Sequence, residues 1–232
     1  MNLSSEAQHF LWYSYFTVSY DELAKDREAA LLLCAQRAYL DMNRTLTFDP
    51  DKEDHEDFRN SVCEEIISGI KTKLLSCDKS AFDDNHLRLC NHIIEFVKDK
   101  NILIPRAGNN ESFYYGQAQK WLNMTVKYML IMGFWSDELK PIEAAIHIPV
   151  DNFIMKAASD IGVMLPRTSE TYGKYSTSSK PWSKWSEDNY TRFQNDLRET
   201  LKEVSPHELP IEWECHAWIE VHKEKIDDYK NK

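Results

Sequence analysis

The chain has 232 residues, of which 42% are hydrophobic and 28% are charged, and its formal net charge is −10 at pH 7. This hydrophobic share excludes intrinsic disorder, and a mean hydropathy of −0.57 argues against an integral membrane protein. A net negative charge of this size also argues against a nucleic-acid partner, unless the basic residues are concentrated in one part of the chain.

Helical patterns run through most of the chain. Only 6 residues are glycine, and Asn-Gly and Asp-Gly pairs are absent, which disfavours hairpin-rich sheets. Ser19 and Glu22 form a capping-box pattern that predicts a helix running to about Arg44. Apolar spacing and capping residues predict further helices at about 58–74, 89–97, 112–133, 151–162, 186–204 and 210–229. We therefore predict an all-α protein of roughly seven to nine helices.

The five cysteines form an odd-numbered set without a Cys-x-x-Cys pair, and three of them fall among apolar residues of helical segments. The N-terminal segment has no basic n-region and no cleavage pattern typical of a signal peptide. No apolar run approaches the roughly 18 residues that a membrane span needs. We expect a reduced, cytoplasmic, monomeric protein without disulfides or membrane contacts.

The charged residues are distributed unevenly. Residues 1–99 contain 19 acids and 11 bases, for a net charge of −8, and residues 186–232 contain 12 acids and 7 bases, for −5. Residues 100–185 contain 7 acids and 10 bases, for +3. The overall negative charge therefore does not exclude a nucleic-acid partner for the middle third of the chain.

Residues 167–185 form the least regular stretch of this positive third. Lysine, arginine and hydroxyl groups contact phosphates, and aromatic rings stack on unpaired bases, so this loop is a candidate DNA contact. An ordinary polar loop is the alternative. Its basic residues are Arg167, Lys174, Lys180 and Lys184, and its aromatic residues are Tyr172, Tyr175, Trp182 and Trp185.

Two short segments carry candidate functional residues. Gly116 and Ala118 are small residues that let backbone amides approach another group closely, and at a helix start such amides can bind a phosphate. Lys120 would then project from the first part of that helix. In the second segment, Pro149 disfavours helix before it and Asp151 is well placed to cap the helix that follows. Taken singly, the first segment is more typical of a packed helix crossing with Lys120 exposed, and the second is more typical of a plain cap.

Together the two segments resemble the helix–hairpin–helix DNA glycosylase superfamily. Its signature is a Gly-x-Gly-x-Lys hairpin that leads into a helix, followed by Pro-Val-Asp at the start of another helix. The 31 residues from Lys120 to Asp151 are most similar to the spacing of the archaeal 8-oxoguanine DNA glycosylase branch. The chain departs from the signature at Ala118, which replaces the second glycine, and at Asn152-Phe153, which follow the aspartate.

This resemblance implies a fold and an activity. The fold would be a single all-α unit over residues 1–232, with two helical subdomains flanking a cleft and with the hairpin and the catalytic aspartate in residues 100–185. The activity would be that of a DNA N-glycosylase, with or without AP lyase activity. It would excise a flipped-out oxidised or otherwise modified base from double-stranded DNA, in repair or in defence against modified phage DNA.

The resemblance also implies roles for individual residues. The Asp151 carboxylate would stabilise the positive charge that develops on the sugar, and the Lys120 amine would be the nucleophile of a Schiff-base step. Glu214 and Trp218, four residues apart on one helix face, would line the pocket for the damaged base, with Trp121 as a further candidate. Gly116 and Ala118 would contact DNA. We expect no cofactor and no metal site, because the eight histidines are scattered and no metal-binding motif is present.

Two other readings remain open. The chain could be a non-catalytic α-helical protein that binds nucleic acid or another partner, or a purely structural helical protein. An enzyme requires Lys120 and Asp151 to face one cleft, whereas a binding-only protein places no such demand on them.

Overall fold

The computed structural model describes residues 5–230, which are predominantly helical, so the all-α prediction is confirmed. A short antiparallel pair joins strands β1 (Leu165–Pro166) and β2 (Tyr172–Gly173), with Leu165 opposite Gly173. Ten α-helices lie within the described range: α1 (Ser5–Phe16), α2 (Tyr20–Leu23), α3 (Arg27–Met42), α4 (His55–Gly69), α5 (Phe82–Lys100), α6 (Tyr115–Met132), α7 (Ser136–Leu139), α8 (Asn152–Asp160), α9 (Glu187–Val204) and α10 (Pro210–Lys230).

The N-terminal prediction is correct in its cap and wrong in its length. The Ser19 hydroxyl accepts from the Glu22 amide, and the Glu22 carboxylate accepts from the Ser19 amide, as a capping box requires. The helix nevertheless ends at Leu23, and three residues separate it from α3, which begins at Arg27. Asp26 causes this break, because its carboxylate accepts from the amides of the first turn of α3 at 3.1 and 3.0 Å.

The helical stretch predicted at 58–74 is confirmed, with a change of winding near its end. Helix α4 passes into a π-helical turn, Ile70–Leu74, in which the Leu75 amide donates to the Ile70 carbonyl at 2.9 Å. Every fourth residue from Phe58 to Leu74 is buried, as the apolar spacing predicts.

Helix α6 is the central helix of the protein. It begins after Tyr114 rather than at Ser112, because the Gln117 side chain accepts from the Tyr114 amide at 2.8 Å. Its end at Gly133 is confirmed, with a left-handed φ of 74°. Of its 18 residues, 15 are buried, because α3 and α5 both pack against it. Helix α8 packs instead against α10.

The cysteines follow the expectation from sequence. All five are free thiols, and Cys34, Cys63 and Cys90 are buried in the core. Burial raises the pKa of the Cys63 thiol to about 12, so this side chain packs as a neutral group.

Within residues 5–230, no helix combines the length and the apolar character needed to cross a lipid bilayer.

Candidate active site

A cavity of about 880 Å³ opens between α3 and α6 on one side and α8 and α10 on the other. Its volume lies within the roughly 300–1,000 Å³ typical of ligand pockets. The described residues of its wall carry both signs of charge. The cations are Arg44, Lys120, Lys127, Lys156 and Lys225, and the carboxylates are Asp41, Asp151, Glu214 and Glu224.

Lys120 and Asp151 meet in this cavity. The Lys120 Nζ lies 3.1 Å from Asp151 Oδ2, and the two side chains are only 5% and 15% exposed. Lys120 comes from the second turn of α6, and Asp151 comes from the residue that precedes α8. Residues 31 positions apart in sequence are thus brought into direct contact in one cavity.

Asp151 uses its two carboxylate oxygens differently. Oδ1 accepts from the amides of Phe153 and Ile154 at 2.9 and 3.0 Å, so Asp151 is the N-cap of α8, as predicted from its place after Pro149. Oδ2 is left to contact Lys120. The cap therefore also orients the carboxylate towards the cavity.

The surroundings of Asp151 keep it ionised. Burial by itself raises the pKa of this carboxyl group, but the positive charge of Lys120 and the two backbone donors outweigh that effect. The pKa of Asp151 consequently lies below its ordinary value, and the group carries a negative charge at neutral pH.

Buried amide side chains hold the segment that leads into Asp151. The Ile148 carbonyl accepts from Asn123 at 3.0 Å and from Gln194 at 2.8 Å. The Val150 amide donates to Gln119 Oε1 at 3.5 Å. Sequence reasoning missed these residues, although polar residues flanking Lys120 in an otherwise apolar helix were a usable signal.

A second ion pair lines the same cavity. Lys127, seven residues after Lys120 on the same face of α6, pairs with Glu214 of α10. Burial raises the pKa of Glu214, which is 1% exposed, and Lys127 offsets only part of that effect. The sequence analysis missed Lys127, although the seven-residue spacing from Lys120 could have revealed it.

Aromatic rings form one end of the cavity. Trp218 lines it beside Phe153, with ring centroids 5.3 Å apart, and its ring stacks on His222 at 5.0 Å. Glu214 and Trp218 therefore both line the cavity that holds Lys120. Phe153 was not predicted as a wall residue; it was noted only as a departure from the family signature.

The prediction that Trp121 lines a base pocket is wrong. Its side chain is fully buried, its Nε1 donates to the Ala35 carbonyl at 2.9 Å, and its ring packs against Tyr39. One residue along a helix turns the side chain by about 100°, so the neighbour of Lys120 points into the α3–α6 contact instead of the cavity.

The predicted contact of Gly116 and Ala118 with a phosphate is also wrong. Both residues are buried in the first turn of α6. The Gly116 amide donates to the Trp185 carbonyl at 3.0 Å, and the Ala118 amide donates to the Tyr114 carbonyl at 3.2 Å. A Cβ at Gly116 would lie 1.9 Å from the Trp182 carbonyl oxygen. The small residues thus permit a close helix crossing, and their amides are already satisfied.

We expect Gly116→Ala to lower the free energy of unfolding by about 1–3 kcal/mol, because the added methyl group must displace the backbone of residues 182–183. Urea denaturation followed by circular dichroism measures this loss. DNA binding by the folded fraction should keep its salt dependence. An unchanged free energy of unfolding together with a reduced salt dependence of DNA binding would contradict this assignment and support the predicted phosphate contact.

The basic loop at 167–185 is mostly engaged with the protein itself. The Lys180 amine pairs with Glu170 at 3.2 Å, and the Arg167 guanidinium packs over Gly173. Lys184 is half-buried, whereas Lys174 is exposed. Its aromatic residues divide similarly: Trp182 and Trp185 are buried, the Tyr172 ring packs under Arg192, and Tyr175 lines the cavity.

No group of three or more His, Cys, Asp or Glu side chains in residues 5–230 is arranged to hold a metal ion.

A scan against protein-family models finds no match, and searches of curated proteins and of solved structures find no significant match either. Function is therefore inferred from the residues and their geometry.

Proposed function

We propose that this protein is a DNA glycosylase of the helix–hairpin–helix superfamily, most similar to the archaeal 8-oxoguanine branch. Its substrate would be double-stranded DNA from which an oxidised or otherwise modified base is flipped out and excised, in repair or in defence against modified phage DNA. The observation that carries the proposal is the 3.1 Å contact between Lys120 and Asp151 inside a cavity of about 880 Å³.

Asp151 would act on the sugar. Breaking the bond between a base and C1′ of deoxyribose develops positive charge on the sugar, and a fixed negative charge nearby stabilises that state. Asp151 is suited to this because the amides of Phe153 and Ile154 hold it in place and because it is ionised at neutral pH.

Lys120 would act as the nucleophile. Its free amine would form a bond to C1′ as the C1′–N bond of the base breaks, and the base would leave with the bonding electron pair and take up a proton. Loss of the amine proton and opening of the sugar ring then give a Schiff base. Asp151 contacts Nζ in the free protein and holds the amine in position, and Lys120 gives up its proton to solvent before attack, so that Asp151 keeps its negative charge.

The extruded base would occupy the space beside these two residues. Phe153 and Trp218 provide aromatic surface for stacking, and Lys127 with Glu214 provides a donor and an acceptor for the edge of the base. Aromatic surface next to a small number of polar groups is the usual composition of a pocket that must orient a planar ring.

The non-catalytic alternative has less support. It gives no reason for a buried Lys–Asp pair to line a cavity, since a buried ion pair is weak evidence for a stabilising role. Catalysis gives both groups a task, and the assay below distinguishes the two.

Borohydride trapping on duplexes that carry a panel of modified bases is the direct test. We expect base release from at least one duplex and a covalent adduct that Lys120→Gln abolishes, because the reduced Schiff base contains the Lys120 nitrogen. Lys156→Gln should retain the adduct, because Lys156 lines the same cavity but its nitrogen forms no part of the Schiff base proposed for Lys120.

The assay also has contrary outcomes. Failure to release any base together with failure to trap any adduct would overturn the enzyme proposal. Base release without trapping would retain Asp151 as the catalytic carboxylate and remove the nucleophile role from Lys120.

A further inference from the structure

The five cations of the cavity wall fall into two groups. Lys120, Lys127 and Lys156 each form an ion pair with a carboxylate that also lines the cavity. Arg44 and Lys225 are exposed, and neither forms an ion pair with any side chain that the structure describes. The positive charge that remains available to a ligand is thus concentrated on these two side chains.

Arg44 forms no ion pair with Asp41, the remaining carboxylate that lines the cavity. Asp41 lies one turn before Arg44, but its Oδ2 accepts from the Tyr128 hydroxyl at 2.6 Å, and that hydroxyl also contacts the Tyr15 hydroxyl at 2.7 Å. The Asp41 carboxylate is therefore hydrogen-bonded to Tyr128 of α6 and not to Arg44.

The two available cations lie on opposite walls. Arg44 belongs to the 3₁₀ turn Asn43–Thr45 that follows α3, on the wall formed by α3 and α6. Lys225 belongs to α10, and its amine lies 5.3 Å from the centre of the Phe153 ring. Phe153, Asp151 and Lys225 line the same cavity, and Lys225 is exposed.

We propose that Arg44 and Lys225 bind the two phosphodiester groups on either side of the extruded nucleotide. This inference rests on the proposed function. A nucleotide that enters the cavity leaves its 5′ and 3′ phosphates at the mouth, one towards each wall, and phosphates bind arginine and lysine by charge-assisted hydrogen bonds. The paired charges deeper in the cavity suit an uncharged base, whereas the unpaired charges at the rim suit the backbone.

Fluorescence anisotropy with a duplex that contains a central tetrahydrofuran abasic analogue tests this inference without knowledge of the target base. Each phosphate contact contributes about 0.9 to the slope of log K against log salt concentration. We expect Arg44→Gln and Lys225→Gln each to reduce that slope by about 0.9 and the double variant by about 1.8, with weaker binding throughout. Arg44→Lys should restore most of the slope because it restores the charge.

Lys223→Gln is the matched control. Lys223 is exposed on the same helix but is paired with Glu220 and lies outside the cavity wall, so its removal should leave the slope unchanged. Thermal unfolding should show that all variants fold, since both target side chains are exposed.

The outcomes separate this inference from the proposed function. Base release by the wild type with unchanged slopes in both variants would overturn the phosphate contacts and leave the glycosylase intact. Reduced slopes without base release on any duplex would support the contacts and count against the enzyme. Binding of a mononucleotide as tight as that of the duplex would overturn the inference by identifying a small-molecule phosphate as the ligand.

Discussion

Asp151→Asn should reduce the rate of base release by about 10²–10³-fold, the usual effect of removing one electrostatic stabiliser of a transition state. Asparagine is as good an N-cap as aspartate, so the contacts to the Phe153 and Ile154 amides can persist. The variant therefore removes the negative charge that faces the sugar while keeping α8 in place. Single-turnover kinetics on the duplex selected by the panel measures the effect.

The control for this variant is Asp160→Asn at the other end of α8. Asp160 is exposed, pairs with Lys156, and does not line the cavity, so its removal should leave the rate of base release unchanged. A rate for Asp151→Asn within a factor of about 3 of the wild type would contradict the catalytic role, because that is only about 0.7 kcal/mol of transition-state stabilisation.

Trp121→Ala should lower the free energy of unfolding by about 3–5 kcal/mol. The indole is fully buried between α3 and α6, and its removal leaves a cavity and strips the Ala35 carbonyl of a donor. Chemical denaturation measures the loss. Under conditions in which the variant is folded, its affinity for a cognate duplex should be unchanged, since the indole does not reach the cavity.

Trp218→Ala is the matched comparison and should show the reverse pattern. Trp218 is half-buried on the cavity wall, so its truncation should cost less stability and should weaken binding of the duplex. If Trp121→Ala weakened binding of the duplex and left the free energy of unfolding nearly unchanged, the original prediction that Trp121 lines the base pocket would be supported.

The two carboxylate oxygens of Asp151 have different contacts, so that under the proposed function one residue would both cap α8 and act on the sugar. A carboxylate has two oxygens, and the helix start needs only one of them. The other oxygen, Oδ2, lies 3.1 Å from Lys120 Nζ. The cap thus fixes the orientation of the Asp151 carboxylate, and under the proposed function such a fixed charge would be electrostatically preorganised.

Sequence patterns predicted the helices correctly where the apolar spacing and the capping residues lie close together in the chain. The fourfold spacing from Phe58 to Leu74, the cap at Asp151 and the end at Gly133 all depend on residues within one or two turns of each other. The N-terminal helix was predicted too long because two capping residues, Ser19 and Asp26, lie only seven positions apart. Apolar periodicity continues across both helices and conceals the break.

For a related reason, the sequence selected some residues of the cavity wall correctly and failed for others. Residue type and motif spacing were sufficient to select Lys120, Asp151, Glu214 and Trp218, all of which line the cavity. The same reasoning failed for Trp121, because adjacency to Lys120 in sequence is not adjacency on a helix face. It missed Arg44, which follows α3 and reaches the wall only because α3 packs beside α6.

Composition and short spacing are sufficient to predict an all-α chain, to locate the positive middle third and to single out the segments that contain Lys120 and Asp151. The tertiary structure alone decided which cations remain available. Charge counts treat every lysine alike, but Lys120, Lys127 and Lys156 meet carboxylates from distant helices, whereas Arg44 and Lys225 do not. The effective charge of a surface depends on such pairs, and they form only when the helices pack.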